Sequence, residues 1–170
     1  AGVLAVTGTV SAMSGMTASA QPSAGTYGDA LKLSLYFFDA NQCGADDNVL
    51  TWRGKCHTYD AEASLSSAKG LSSSSVAAIK AANGGLDTVD VSGGYHDAGD
   101  HLKFSNTMGY SCTNLAWSYF ENPDSYKETG SEDHLLYILK KMCDYFMKVT
   151  YLDDSGNVIA YRYLVGDDQD

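Results

Sequence analysis

A chain of 170 residues with 11 Lys plus Arg, 21 Asp plus Glu and a formal net charge of −10 is long enough for one domain. That balance excludes nucleic-acid phosphates and anionic membrane surfaces as natural partners, because both are held by clustered Lys and Arg. The 12 Tyr offer flat faces with polar tips, which suits a neutral, ring-shaped partner such as a carbohydrate.

Ala1 to Met16 is small, apolar and uncharged, and Ala18-Ser19-Ala20 follows it. This pattern predicts the later part of an export signal over 1–20, with cleavage before Gln21. The mature part, 21–170, is then expected to be secreted, extracellular and free of any membrane. Leu31, Leu35 and Phe38 recur at helical spacing and predict a core-facing helix over 30–40, capped by Asp29 or Thr26. Cys43 and Cys56 flank a loop rich in Asp, Asn and Gly that holds Asn48, Thr51, Trp52 and Arg53. In an oxidising compartment a disulfide between Cys43 and Cys56 is expected. With no C-x-x-C pair, no metal site is assigned to these cysteines.

Asp60 to Ser75 is rich in Ala, Ser and Gly and reads as exposed. Ser75 to Ala82 allows two helical turns, stopped by Asn83-Gly84-Gly85. Val89 and Val91 alternate with Asp90, which suggests a short extended run. Met108, Cys112, Leu115, Ala116 and Tyr119 predict a helix over 107–120 that ends at Asn122-Pro123. A third helix is expected over 131–150. Ser131 would cap it, Glu132 and Asp133 would favour its positive end, and Leu135, Leu139, Met142 and Phe146 would form its buried stripe. Leu136, Cys143 and Met147 lie beside that stripe, and Cys112 and Cys143 read as buried free thiols. Asp153 to Asn157 is an oxygen-rich turn without the alternation of a calcium loop, so it too receives no metal. Val158 to Tyr161 leaves it extended.

Helices without long strands give an all-α class. Three good helices do not close a core here, and the chain stops in a polar run at Asp170. More helices are therefore expected beyond it.

The stretch with most chemistry is Gly93-Gly94-Tyr95-His96-Asp97-Ala98-Gly99-Asp100-His101-Leu102-Lys103-Phe104. Glycines let the backbone turn tightly, and a turn this short can aim Asp97 and Asp100 at one small volume. Four readings follow. The two carboxylates accept backbone N–H bonds within their own turn; His96, Asp97, Asp100 and His101 hold a metal; the turn only binds carbohydrate; or one carboxylate takes a proton from a water that the other holds.

This stretch resembles the signature of glycoside hydrolase family 9, whose members are mostly cellulases. Tyr27-Gly28-Asp29-Ala30-Leu31 with Ser34 and Phe37-Phe38, Trp52-Arg53-Gly54, Leu115-Ala116-Trp117-Ser118 and Val165-Gly166-Asp167 are similar to further family segments, in family order. Leu164 departs from the pattern, standing where the family usually has a glutamine.

The resemblance implies the N-terminal part of an (α/α)6 barrel, here truncated. It also implies hydrolysis of β-1,4-glucosidic bonds in cellulose or related β-glucans with inversion. Asp100 would then be the general base and Asp97 would hold the attacking water. The acid, a glutamate in the family, would lie beyond Asp170, so residues 1–170 alone are expected to be inactive. Tyr95, His96 and His101 are the candidate substrate-binding residues, although Tyr95, like Trp52, is more often a packing residue. No cofactor is required, and structural calcium is possible in the full-length protein. The alternative from another class is a secreted, non-catalytic carbohydrate-binding protein that keeps the turn.

Overall fold

A computed structural model describes residues 24–44 and 48–166. The expected signal segment over 1–20, and Asp167 of the last matched tripeptide, lie outside the described residues. Five α-helices run in chain order as α1 (Ala24–Asn41), α2 (Ser73–Ala82), α3 (Ser105–Glu121), α4 (Pro123–Thr129) and α5 (Glu132–Lys148). Six short strands accompany them: β1 (Ala63–Ser64), β2 (Thr88–Val89), β3 (Lys103–Phe104), β4 (Thr150–Leu152), β5 (Val158–Tyr161) and β6 (Leu164–Val165). They pair antiparallel as β1–β2, β3–β6 and β4–β5. Helices dominate the described residues, and no strand among them exceeds four residues, so the class is all-α, as expected.

The helices form where the periodicity places them, with informative shifts at their ends. α1 starts at Ala24, so Thr26 and Asp29 lie inside the helix instead of capping it. Ser72 caps α2, its Oγ accepting from Ser75 N at 3.0 Å. Pro123 does more than end α3. Its fixed φ and missing N–H suit a first helical position, and it opens α4, which Gly130 closes at φ 66°. Ser131 does not cap α5 with its side chain; its hydroxyl pairs with Thr129 Oγ1 at 2.7 Å instead.

The core gathers Leu35, Ile79, Val91, Met108 and Tyr126 around one face of α5. That face is Leu135, Ile138, Met142 and Tyr145, all buried. The sequence stripe had chosen Leu139 and Phe146, which are only half-buried, and Cys143 is exposed. Tyr145 explains the rotation. Its ring lies under Gly94, where an added Cβ would fall 2.9 Å from the Tyr145 Cγ and 3.1 Å from Met108 Cε. Gly94 also sits at φ 76°, so both space and backbone require a glycine there.

The stretch over 60–75 is less exposed than its composition suggests. Asp60 and Leu65 are buried, and Leu71 packs against the core. Asp60 is buried because it meets Lys103, itself only 1% exposed. The Lys103 ammonium donates to Asp60 Oδ2 at 2.6 Å, to Val91 O at 2.6 Å and to Gly93 O at 3.2 Å. Those three bonds use all three of its donors. The Tyr145 ring lies beside it, 5.3 Å from ammonium to centroid.

Removing one partner of such a buried pair leaves the other charge uncompensated. Lys103→Met is therefore expected to cost ~3–5 kcal/mol of folding stability, read by chemical denaturation. Adding Asp60→Asn to that variant should restore a large part of the loss. Strictly additive losses from the two substitutions would show that the pair is not coupled in this way.

Candidate functional site

Gly93 and Gly94 take φ of 85° and 76° and swing the chain out of the core after Val91. The stretch returns on itself almost at once. Asp97 N donates to Leu102 O at 3.0 Å, and His101 N donates to Ala98 O at 3.3 Å. His101 closes the bend at φ 64°, an uncommon left-handed position for a side chain other than glycine.

Asp97, Ala98, Gly99 and Asp100 are exposed along this bend, and a Cβ added at Gly99 would meet nothing within 4 Å. Among the described residues, no hydrogen bond or ion pair engages the carboxylate of Asp97 or Asp100. They do not spend themselves on backbone N–H groups of their own turn, as Asp90 and Asp153 do. Asp90 Oδ1 accepts from Ser92 N at 2.8 Å, and Asp153 Oδ1 accepts from Ser155 N at 2.9 Å and Asn157 N at 2.8 Å.

An open groove of about 1010 Å³ begins just past the bend. Leu102 and Phe104 line one side, and Tyr161, Tyr163 and Val165 another. Asp97 and Asp100 lie outside its lining. The β3–β6 pairing, Lys103 opposite Val165, brings the two sides together.

Beneath the bend lies a second constellation. Cys43, Cys56, His57 and His96 each offer one ligand atom, all within 4.8 Å of one another. They come from three segments. Cys43 follows the end of α1, and its N–H donates to Gly94 O at 2.9 Å. Cys56 and His57 follow the Arg53 turn, and His96 stands in the bend, its N–H donating to Asn41 O at 2.8 Å.

His96 is held by its other nitrogen, with Nδ1 donating to His101 O at 2.7 Å. That bond fixes the tautomer and leaves Nε2 with a free lone pair, 3.5 Å from Cys56 Sγ. Burial pulls the His96 pKa down to about 4, so the ring is neutral near pH 7, as a metal ligand must be. Arg53 spans the cluster's edge, donating from Nε to Ala40 O at 2.9 Å and from Nη2 to Cys56 Sγ at 3.2 Å. Burial pushes the Cys43 thiol up to about 12, so in the absence of a cation it stays protonated. His57 Nδ1 is buried with no hydrogen-bond partner among the described residues.

Two thiols and two imidazoles are the donor set of a closed, tetrahedral structural zinc site. With Zn–S of ~2.3 Å and Zn–N of ~2.05 Å, the S···N edge of such a tetrahedron is ~3.6 Å, close to the Cys56–His96 separation. The donor set, the held tautomer and the orphaned His57 nitrogen together fit the metal.

Several sequence expectations change here. Cys43 and Cys56 are brought together and stand as free thiols, where a disulfide was expected. Cys43, Cys56, His57 and His96 converge from three segments, a grouping that C-x-x-C spacing does not signal. Tyr95 is 4% exposed and His96 6%, which removes both from a substrate-facing set. The Tyr95 ring stands edge-on to Phe38 in the core. His101 is exposed, with its ring 4.9 Å from that of His96. Trp52 is exposed as well. His57, Arg53, Asp60 and Lys103 were not read as site residues; the adjacent Cys56-His57 step was the one available signal.

Comparisons with known proteins place the chain in a family. The family description "Glycosyl hydrolase family 9" matches residues 27–170. Endoglucanase B of Cellulomonas fimi is 34% identical over 72% of this chain, and Endoglucanase 10 of Arabidopsis thaliana 32% identical over 83%. The chain spans 10% and 22% of the length of those two relatives. Among solved structures, the catalytic domain of Clostridium thermocellum CelT shares 41% identity with a TM-score of 0.79, over 84% of this chain and 30% of that one. The cellulase Cel9M of C. cellulolyticum shares 37% identity with a TM-score of 0.60, over 84% of this chain and 28% of that one; Cel9M has also been solved in complex with cellobiose. These neighbours are (α/α)6 barrel domains, of which this chain has the fold of an N-terminal part. The chain belongs to glycosyl hydrolase family 9.

Proposed function

We propose that this chain carries the base side of an inverting, secreted endo-β-1,4-glucanase centre. The observation that supports it most is the state of the two aspartates. On a bend held from below, Asp97 and Asp100 are exposed, with carboxylates unengaged by any described neighbour. Asp100 takes a proton from water, and Asp97 accepts that water's second hydrogen bond and holds it in line. As the water attacks the anomeric carbon of a β-glucan, the glycosidic bond breaks on the opposite face. The leaving oxygen must be protonated there by a carboxylic acid. In an inverting pair the two groups stand ~6.5–9.5 Å apart, with the water between base and sugar. Two aspartates sharing one short bend serve a single face, so the acid is a different residue, which this reading places outside residues 1–170. The reaction needs no cofactor.

In the same reading, Cys43, Cys56, His57 and His96 hold one zinc ion as a brace beneath the bend. When bound, the ion supplies a fixed cross-link between the end of α1, the Arg53 turn and His96. It takes no part in hydrolysis, because Nδ1 of His96 is committed to His101 O and the cluster lies under the bend.

Three outcomes are expected. In a protein that carries this chain with the rest of its catalytic module, Asp100→Asn should lower turnover on soluble β-glucan by ~10²–10⁴-fold. Its KM should change little, and near-normal turnover would take Asp100 out of the role. Residues 1–170 alone should release no reducing sugar from the same glucan. Release above that of an Asp100→Asn control would mean that both catalytic groups lie within the chain. Elemental analysis of protein purified at neutral pH should find about one zinc per chain. Chelation should then lower the Tm, with added zinc restoring it. A metal-free protein whose Tm ignores both treatments would refute the brace.

A further inference from the structure

The other two cysteines stand on facing helices. α3 and α5 run antiparallel, and two contacts independent of any sulfur fix how they meet. Near one end, a Cβ at Gly109 would lie 3.9 Å from Phe146 Cζ. Near the other, the Tyr119 hydroxyl donates to Glu132 Oε1. One helical turn on from Gly109 along α3 is Cys112, and one turn back from Phe146 along α5 is Cys143. The contact register thus sets them opposite one another. Gly109 removes a side chain from the seam at this level and lets the two backbones approach.

The two thiols are neighbours, close enough for Cys143 to affect the ionisation of Cys112. A disulfide needs its Cβ atoms about 3.8 Å apart, so it joins only residues on facing turns such as these. Cys112 is half-buried and Cys143 exposed, and both are free. Burial, reinforced by the neighbouring Cys143 and its hydrogen bond, pushes the Cys112 thiol up to about 11. Cys143 is the sulfur that solvent can reach.

We propose that Cys112 and Cys143 form a disulfide site that staples α3 to α5, closed by exchange with a small-molecule disulfide such as oxidised glutathione. The exposed Cys143 thiolate attacks one sulfur of that disulfide. The first S–S bond breaks, one glutathione thiolate leaves, and a mixed disulfide forms on Cys143. The Cys112 thiolate then attacks the Cys143 sulfur and expels the second glutathione. Two protein thiols give up two hydrogens and two electrons, and two glutathione thiols take them. Cys43 and Cys56 do not compete, because they face each other and two imidazoles in the cluster under the bend. The site rests on the α3–α5 register alone. Only its filling in the organism calls on the extracellular setting proposed above.

The test is peptide mapping of the native chain after incubation with oxidised glutathione, alkylation of free thiols and digestion with trypsin. The expected product joins peptide 104–127 to peptide 142–148, and it disappears on reduction. Cys143→Ser should abolish it while leaving Cys43 and Cys56 as before. The same incubation in denaturant should scatter the pairings among all four cysteines, which makes the native pairing a property of the fold. Recovery of Cys112 and Cys143 as separately alkylated thiols from the native reaction would overturn the proposal. So would a native pairing pattern no different from the denatured one.

Discussion

One ammonium group sets the spacing of the bend that carries the two aspartates. Lys103 is almost wholly buried, and a cation there is tolerable only if every donor finds an acceptor. Its acceptors are Asp60, Val91 and Gly93. Gly93 immediately precedes the bend and Lys103 follows it, so one side chain fixes the separation of the two stems. The same residue begins β3, whose pairing with β6 ties the bend to residues sixty positions later. Tyr145 flanks the ammonium and lies under Gly94. The packing of α5 in the core and the geometry of the bend are therefore one problem with one solution.

A second constraint acts inside the bend. His96 faces inward and ties its Nδ1 to the carbonyl of His101, spanning the stretch from which Asp97 and Asp100 project. Backbone bonds from Cys43 to Gly94 and from His96 to Asn41 join this inner side to the end of α1. Held by the lysine at its base and the histidine in its middle, the bend has little freedom to deform when a charge or a water arrives. That is the condition under which exposed acids act as preorganised groups and not as mobile surface charges.

The sequence carried the helices well and their partners less well. Periodicity found α1, α2, α3 and α5, because each presents apolar residues at steps of three and four. It mistook the face of α5 by one position, since Tyr145 has a polar tip and reads as a surface residue until a glycine with no side chain is seen above it. The low-complexity reading of 60–75 missed Asp60 for a related reason. A lone acid among Ala and Ser looks solvated, and only a buried lysine more than forty residues away makes it otherwise. The grouping of Cys43 and Cys56 with His57 and His96 was not legible, because residues drawn from three segments leave no local pattern beyond the Cys56-His57 step. The signature itself was legible, since glycines at positive φ and small residues around paired acids are demands that the turn makes of its own sequence.

The aspartates of this chain show why residue type cannot decide function by itself. Asp39 is buried and accepts from His134 Nε2 at 2.6 Å, joining α1 to α5. Asp60 neutralises Lys103. Asp90 and Asp153 cap their own turns. Each of these carboxylates already has at least one partner inside the fold. Asp97 and Asp100 are acids that the surrounding structure has positioned without satisfying. In a chain with so many acids of its own, an aspartate is made available for chemistry by the withholding of a cation, a backbone N–H or a buried wall. The lysine and histidine that could have neutralised this pair, Lys103 and His96, are instead turned inward to hold the backbone that presents it.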